Sequence, residues 1–133
     1  MLMFWRGLFG FAALWNLAVG GAMLAAPARV AEQLQISGAG GPFAISMAGL
    51  LIAVFGVGYA LVSAAPTKHR GIVWLGIISK VGAAALAALQ FSAGAIPFNT
   101  FALGMSDLVF AAFFALFLWS AGVSVGAASP PRR

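Results

Sequence analysis

The chain has 133 residues, 63% of them hydrophobic and only 7% charged, with a net charge of +5 and a mean hydropathy of +1.07, which excludes a water-soluble domain of this size. With no cysteine there is no disulfide, thiol chemistry or cysteine-ligated metal. The cations are scattered, with no basic run or basic-aromatic groove, so they argue for membrane topology and against nucleic acid as a partner.

Four segments reach the roughly 20 residues needed to cross about 30 Å of hydrocarbon. The first runs from about Met3 to Ala26 and stops at Pro27. It is followed by a small-residue stretch, Ala25-Ala26-Pro27-Ala28, of the kind a signal peptidase cleaves. The run is nevertheless too long for a signal-peptide core and carries Asn16, so it reads as a spanning helix. In the loop from Ala28 to Ile36, Val30 and Leu34 stand at helical spacing and predict a short interfacial helix. The second span, Phe43 to Ser63, follows Gly40-Gly41-Pro42, and the third, Gly71 to Phe91, lies between Pro66 and Gly94. The fourth runs from Asn99 to Ser120, after Pro97. The expected fold is all-α: one domain over residues 1–121, an up-down bundle of four transmembrane helices, with residues 122–133 a flexible cytoplasmic tail.

Each span carries small or polar residues every three or four positions: Arg6, Gly10, Ala13, Asn16 and Gly20 in the first, and Ser46, Gly49, Ala53, Gly56, Ala60 and Ser63 in the second. The third offers Gly76, Lys80, Ala83 and Ala87, and the fourth Thr100, Gly104, Asp107 and Ala111. Such stripes let helix backbones approach closely in lipid and are expected to face inward. The bulky Phe110, Phe113, Phe114 and Phe117 are then expected to point elsewhere, and Trp5, Trp74 and Trp119 to form an aromatic belt. Lys68, His69 and Arg70 between the second and third spans, Arg132 and Arg133 at the carboxyl end, and Arg6 near the amino end outweigh Arg29, which Glu32 offsets. The positive-inside rule therefore puts both termini in the cytoplasm of a multi-pass inner-membrane protein.

The chemistry concentrates on Lys80 and Asp107, ionisable groups within apolar spans, where such groups mark an internal pair, a wet cavity or a ligand site. At 1.5 Å per residue, Lys80 lies roughly 13 Å from the cytoplasmic end of its helix and Asp107 about 12 Å from the outer end of the next. That leaves them within roughly 5 Å in height, inside the reach of a lysine side chain. Ser79, Ser106 and Asn16 lie at similar depth, and Arg6 and Tyr59 fall together at the cytoplasmic rim, Tyr59 as an interfacial residue. The pair carries two readings: a structural one, fixing the register of a hairpin, and a ligand, proton or substrate site. His69 between Lys68 and Arg70 is solvated, and a single histidine makes no metal site. The chain offers no Ser-His-acid triad, no phosphate-cradling loop, no paired carboxylates and no histidine pair for haem; Gly56-Val57-Gly58 is a packing feature.

Asn16 in the first helix, Phe55-Gly56-Val57-Gly58-Tyr59 ending the second, His69-Arg70 after a proline, Lys80 in the third and Asp107-Leu108 in the fourth resemble small bacterial four-helix membrane proteins of the broad DoxX-like kind. The resemblance spans most of the chain and implies a non-covalent quinone-like or other lipophilic ligand, or lipid, near Lys80 and Asp107. No individual catalytic residue carries over. Three functions are expected in order: a bundle that binds a lipophilic molecule or is the membrane partner of a redox system, without catalysis of its own; a proton- or ion-coupled carrier; and a structural accessory subunit of a larger membrane complex. Membrane lipids are the expected surroundings, and the small-residue faces suit a homodimer.

Overall fold

In lipid a backbone N–H or C=O has no water to bond with, so long apolar runs free of interior proline close their hydrogen bonds within helices. The computed structural model describes residues 1–36 and 38–126, the last six by backbone alone, and contains five helices: α1 (Leu2–Ala25), α2 (Pro27–Gln33), α3 (Gly41–Ala64), α4 (Arg70–Ser92) and α5 (Phe98–Gly126). Four of them, all but α2, are long and apolar enough to cross a membrane. The breakers act where expected. Ala26 leaves helical geometry before Pro27 opens α2, Gln35 and Gly38 turn the chain with φ of 57° and 107°, and Gly94, at φ 70°, follows the end of α4. The short helix expected between Ala28 and Ile36 is α2. α5 continues past Ser120 to Gly126, so the first part of the expected tail is helical, and 127–133 lie outside the described residues.

The bundle is built as two close pairs. α1 packs on α3 along a seam where a Cβ on Gly20 would lie 2.6 Å from the Gly49 carbonyl oxygen and one on Gly49 would lie 2.7 Å from Met23 Cβ. A Cβ on Gly56 would meet Leu17 at 2.8 Å, so three glycines of the small-residue stripes set this approach. α4 packs on α5 through Gly104, where a Cβ would stand 2.6 Å from that of Ala87.

Between the pairs the backbones stand farther apart and large side chains fill the gap. Phe9 of α1, Tyr59 and Val62 of α3, Val73 of α4 and Phe114 and Phe117 of α5 form a fully buried core. The Phe9 ring centroid lies 4.9 Å from that of Phe114 and 5.1 Å from that of Phe117. This corrects the expectation that the α5 phenylalanines face outward: Phe114 and Phe117 are interior, Phe110 is half-buried, and Phe113 alone of the four is exposed. The reason is the width of the inter-pair gap, which small residues cannot fill. Trp5 likewise turns inward, edge-on to Phe117 at 5.5 Å, while Trp74 and Trp119 are exposed as a belt requires.

At the end of the bundle holding the start of α1, Arg6 Nε donates to the Ser63 carbonyl at 3.0 Å and Ser63 Oγ donates to the Arg6 carbonyl at 2.8 Å. Arg70 Nη2 donates to the Leu118 carbonyl at 3.3 Å, which ties α4 to α5 at the same end. At the opposite end Met23, Ala31 and Ile45, with Val30 and Leu34 against them, seat α2 on α1 and α3.

Candidate functional site

The buried residues of α4 are Val73, Gly76, Lys80 and Ala84, spaced three or four apart on one face. Lys80 is thereby carried inward near the middle of its helix. On α5 the same periodicity aligns Gly104, Asp107, Ala111 and Phe114, so Asp107 meets α4 one turn from the Gly104–Ala87 contact. Lys80 Nζ donates to Asp107 Oδ1 at 2.6 Å, a charge-assisted bond. The two side chains differ in surroundings: Lys80 is 7% exposed and Asp107 is 32% exposed. The ammonium also lies 5.0 Å from the centre of the Phe110 ring, a cation–π contact that spacing alone had not suggested.

The exposed side of Asp107 faces a cleft of about 360 Å³, bounded by α1 on one side and α4 and α5 on the other, in the half of the bundle nearer α2. Lys80, Asp107, Asn16 and Ser106 line it together with Trp15 and Leu103. The other half of the bundle is the aromatic core, and the Phe11–Phe110 stack, 6.2 Å between centroids and 15° from parallel, lies between the two. At the α2 end Leu34 and Thr100 also line the cleft, with Thr100 Oγ1 3.5 Å from the Leu34 carbonyl oxygen. The cleft is an apolar, partly enclosed volume with a few convergent polar groups at its base, which is the usual make-up of a small-molecule site.

The remaining expected residues divide. Asn16 is buried at the cleft wall and donates to the Ala12 carbonyl of its own helix at 2.8 Å. Ser106 lines the cleft while donating to the Leu103 carbonyl at 2.6 Å. Ser79 lies outside it: its hydroxyl donates to the Gly76 carbonyl at 3.0 Å and lies beside the Tyr59 phenol.

Tyr59 is not at a rim. It is 1% exposed and set among Phe9, Phe55 and Phe114, while Arg6 bonds Ser63. Gly76 makes the space for it, since a Cβ there would fall 2.7 Å from the phenol oxygen. The sequence signal was available in Gly76, whose small-residue position one turn before Lys80 admits a large side chain from a facing helix. Phe110, Leu34 and Thr100 carried no such signal, because their part in the site depends on how the two helix pairs meet. No family model, curated protein or solved structure matches the chain.

Proposed function

We propose that this chain is a multi-pass membrane protein that holds a lipophilic ligand in the cleft, with the ligand's polar end against Lys80 and Asp107. The observation that carries the reading is the opening of a midspan ion pair onto an apolar volume of about 360 Å³, large enough for a ring system or the head of a lipid. A pair kept only for register has no need of such an opening. The resemblance to DoxX-like proteins adds a quinone-like ligand and a redox partner in the membrane to this proposal. The aromatic core beyond Phe110 fills the bundle toward the Arg6 end and favours holding a molecule over passing one through.

Both termini are assigned to the cytoplasm and the protein to the inner membrane. Arg6 and Arg70 bond at one end of the bundle, Lys68 and His69 belong to the loop there, and Arg29 with Glu32 lies on α2 at the other. The test uses a short-chain quinol, the hydroxyl-bearing reduced form of a quinone, as probe and thermal unfolding in detergent as readout. At a hundredfold excess over its dissociation constant a bound probe adds about 2.7 kcal/mol of stability. Ser106→Trp, which fills the cleft from an exposed position on α5, is expected to abolish the shift. A shift that survives in Ser106→Trp contradicts binding in the cleft.

A further inference from the structure

The cleft, read as a ligand site in the preceding subsection, also carries information about the head group it accepts. Lys80 and Asp107 are the only charged side chains lining it among the described residues, and they already neutralise one another at 2.6 Å. What remains at the base is a set of unmet hydrogen-bonding positions. Asp107 Oδ2 accepts no hydrogen bond from any described residue, and neither does the Asn16 carboxamide oxygen, whose amide nitrogen is engaged with Ala12. The more exposed member of the ion pair is the acceptor, Asp107, while Lys80 sits behind it with N–H groups beyond the one given to Oδ1.

The geometry points to a neutral, hydroxyl-headed amphiphile as the ligand. A hydroxyl donates one hydrogen bond to Asp107 Oδ2 and accepts from Lys80 with the same oxygen, so a single head group satisfies both sides of the pair. A carbonyl without an O–H covers Asp107 Oδ2 and the Asn16 oxygen, which the cleft leaves accessible, without donating to either, and acceptors buried in that way are costly. A sulfate or carboxylate head faces Asp107 first and finds no second cation. An ammonium head brings a third charge to lipid depth with Lys80 already occupying the site's one carboxylate. The hydroxyl can come from an aliphatic alcohol or from a phenol-type ring, and the chemistry at the base is shared.

The test uses photoreactive probes that share one diazirine-bearing alkyl chain and differ in the head: alcohol, phenol, methyl ketone, sulfate and ammonium. The protein is reconstituted in phosphatidylcholine nanodiscs, irradiated, and the labelled residues are mapped by mass spectrometry. Alcohol or phenol is expected to label the Trp15 and Leu103 segments about tenfold more than the charged heads, reflecting the cost of an unpaired charge at that depth. The ratio between those two probes separates the aliphatic from the aromatic source. Asp107→Asn leaves Lys80 unmatched and should turn the preference toward sulfate. Lys80→Gln/Asp107→Asn removes both charges and should keep the hydroxyl preference, which holds the test open if the single variant does not fold. Sulfate, ammonium or ketone labelling that equals the hydroxyl probes in the unmodified protein overturns the head-group assignment while leaving a cleft ligand in place. Absence of cleft labelling by every probe overturns the ligand site itself.

Discussion

Replacing Lys80 by methionine deletes the cation and keeps most of the side-chain volume, so its effect isolates the charge. At 2.6 Å the pair's attraction is about 6 kcal/mol for an effective dielectric of 20, set against several kcal/mol for drawing each ion out of water. The intact pair is therefore close to neutral in stability, whereas a lone buried charge is not. Lys80→Met should destabilise by about 3 kcal/mol, the lower end of the range for broken buried pairs, because Asp107 is a third exposed to the cleft. Asp107→Leu should cost about 5 kcal/mol, the upper end, because Lys80 is 7% exposed and has no other anion among the lining residues. The double variant Lys80→Met/Asp107→Leu should return to within about 1 kcal/mol of the unmodified protein. Reversible unfolding in bicelles, followed by the fluorescence of the four tryptophans, gives all three values. Losses that add, with a coupling below about 0.5 kcal/mol, refute the claim that the two groups act as one buried unit.

Other outcomes follow from the packing. Gly49→Leu places a branched side chain where a Cβ already meets Met23 at 2.7 Å, and should separate α1 from α3 with a loss of about 3 kcal/mol in the same unfolding assay. Tyr59→Phe should cost about 1 kcal/mol through loss of the buried hydroxyl beside Ser79, and Gly76→Ala should cost more, since it displaces the whole ring; the reverse order contradicts the placement of Tyr59. Because the chain has no native cysteine, His69→Cys and Gln35→Cys report topology cleanly. An impermeant maleimide added to intact cells should label Gln35→Cys and spare His69→Cys, and the opposite pattern reverses the proposed orientation.

The spans were legible in the sequence because hydropathy and proline positions are local properties. The expected starts at Met3, Phe43, Gly71 and Asn99 fall within two residues of the observed Leu2, Gly41, Arg70 and Phe98. The meeting of Lys80 with Asp107 was legible too, since adjacent antiparallel helices convert chain position directly into depth. Tyr59 was not: a tyrosine near a helix end reads as interfacial, and its burial depends on Phe9 and Phe114 arriving from two other helices. The same applies to the cleft. It exists because the aromatic side chains that bridge the two helix pairs stop at Phe110, a fact of three-dimensional arrangement that periodicity along one helix does not encode.

Binding in the cleft requires the paired Lys80 and Asp107 to hold the polar end of a membrane-soluble molecule. Magic-angle-spinning NMR of the protein in lipid bilayers, with carboxyl-labelled aspartate and a long-chain alcohol labelled at its hydroxyl-bearing carbon, measures that contact directly. Asp107 is the chain's single aspartate, so the signal is unambiguous. A through-space transfer between the Asp107 carboxyl carbon and the alcohol head is expected, and it should disappear in Ser106→Trp. Transfer from Asp107 to water or acyl chains alone, with none to the head group, contradicts that binding.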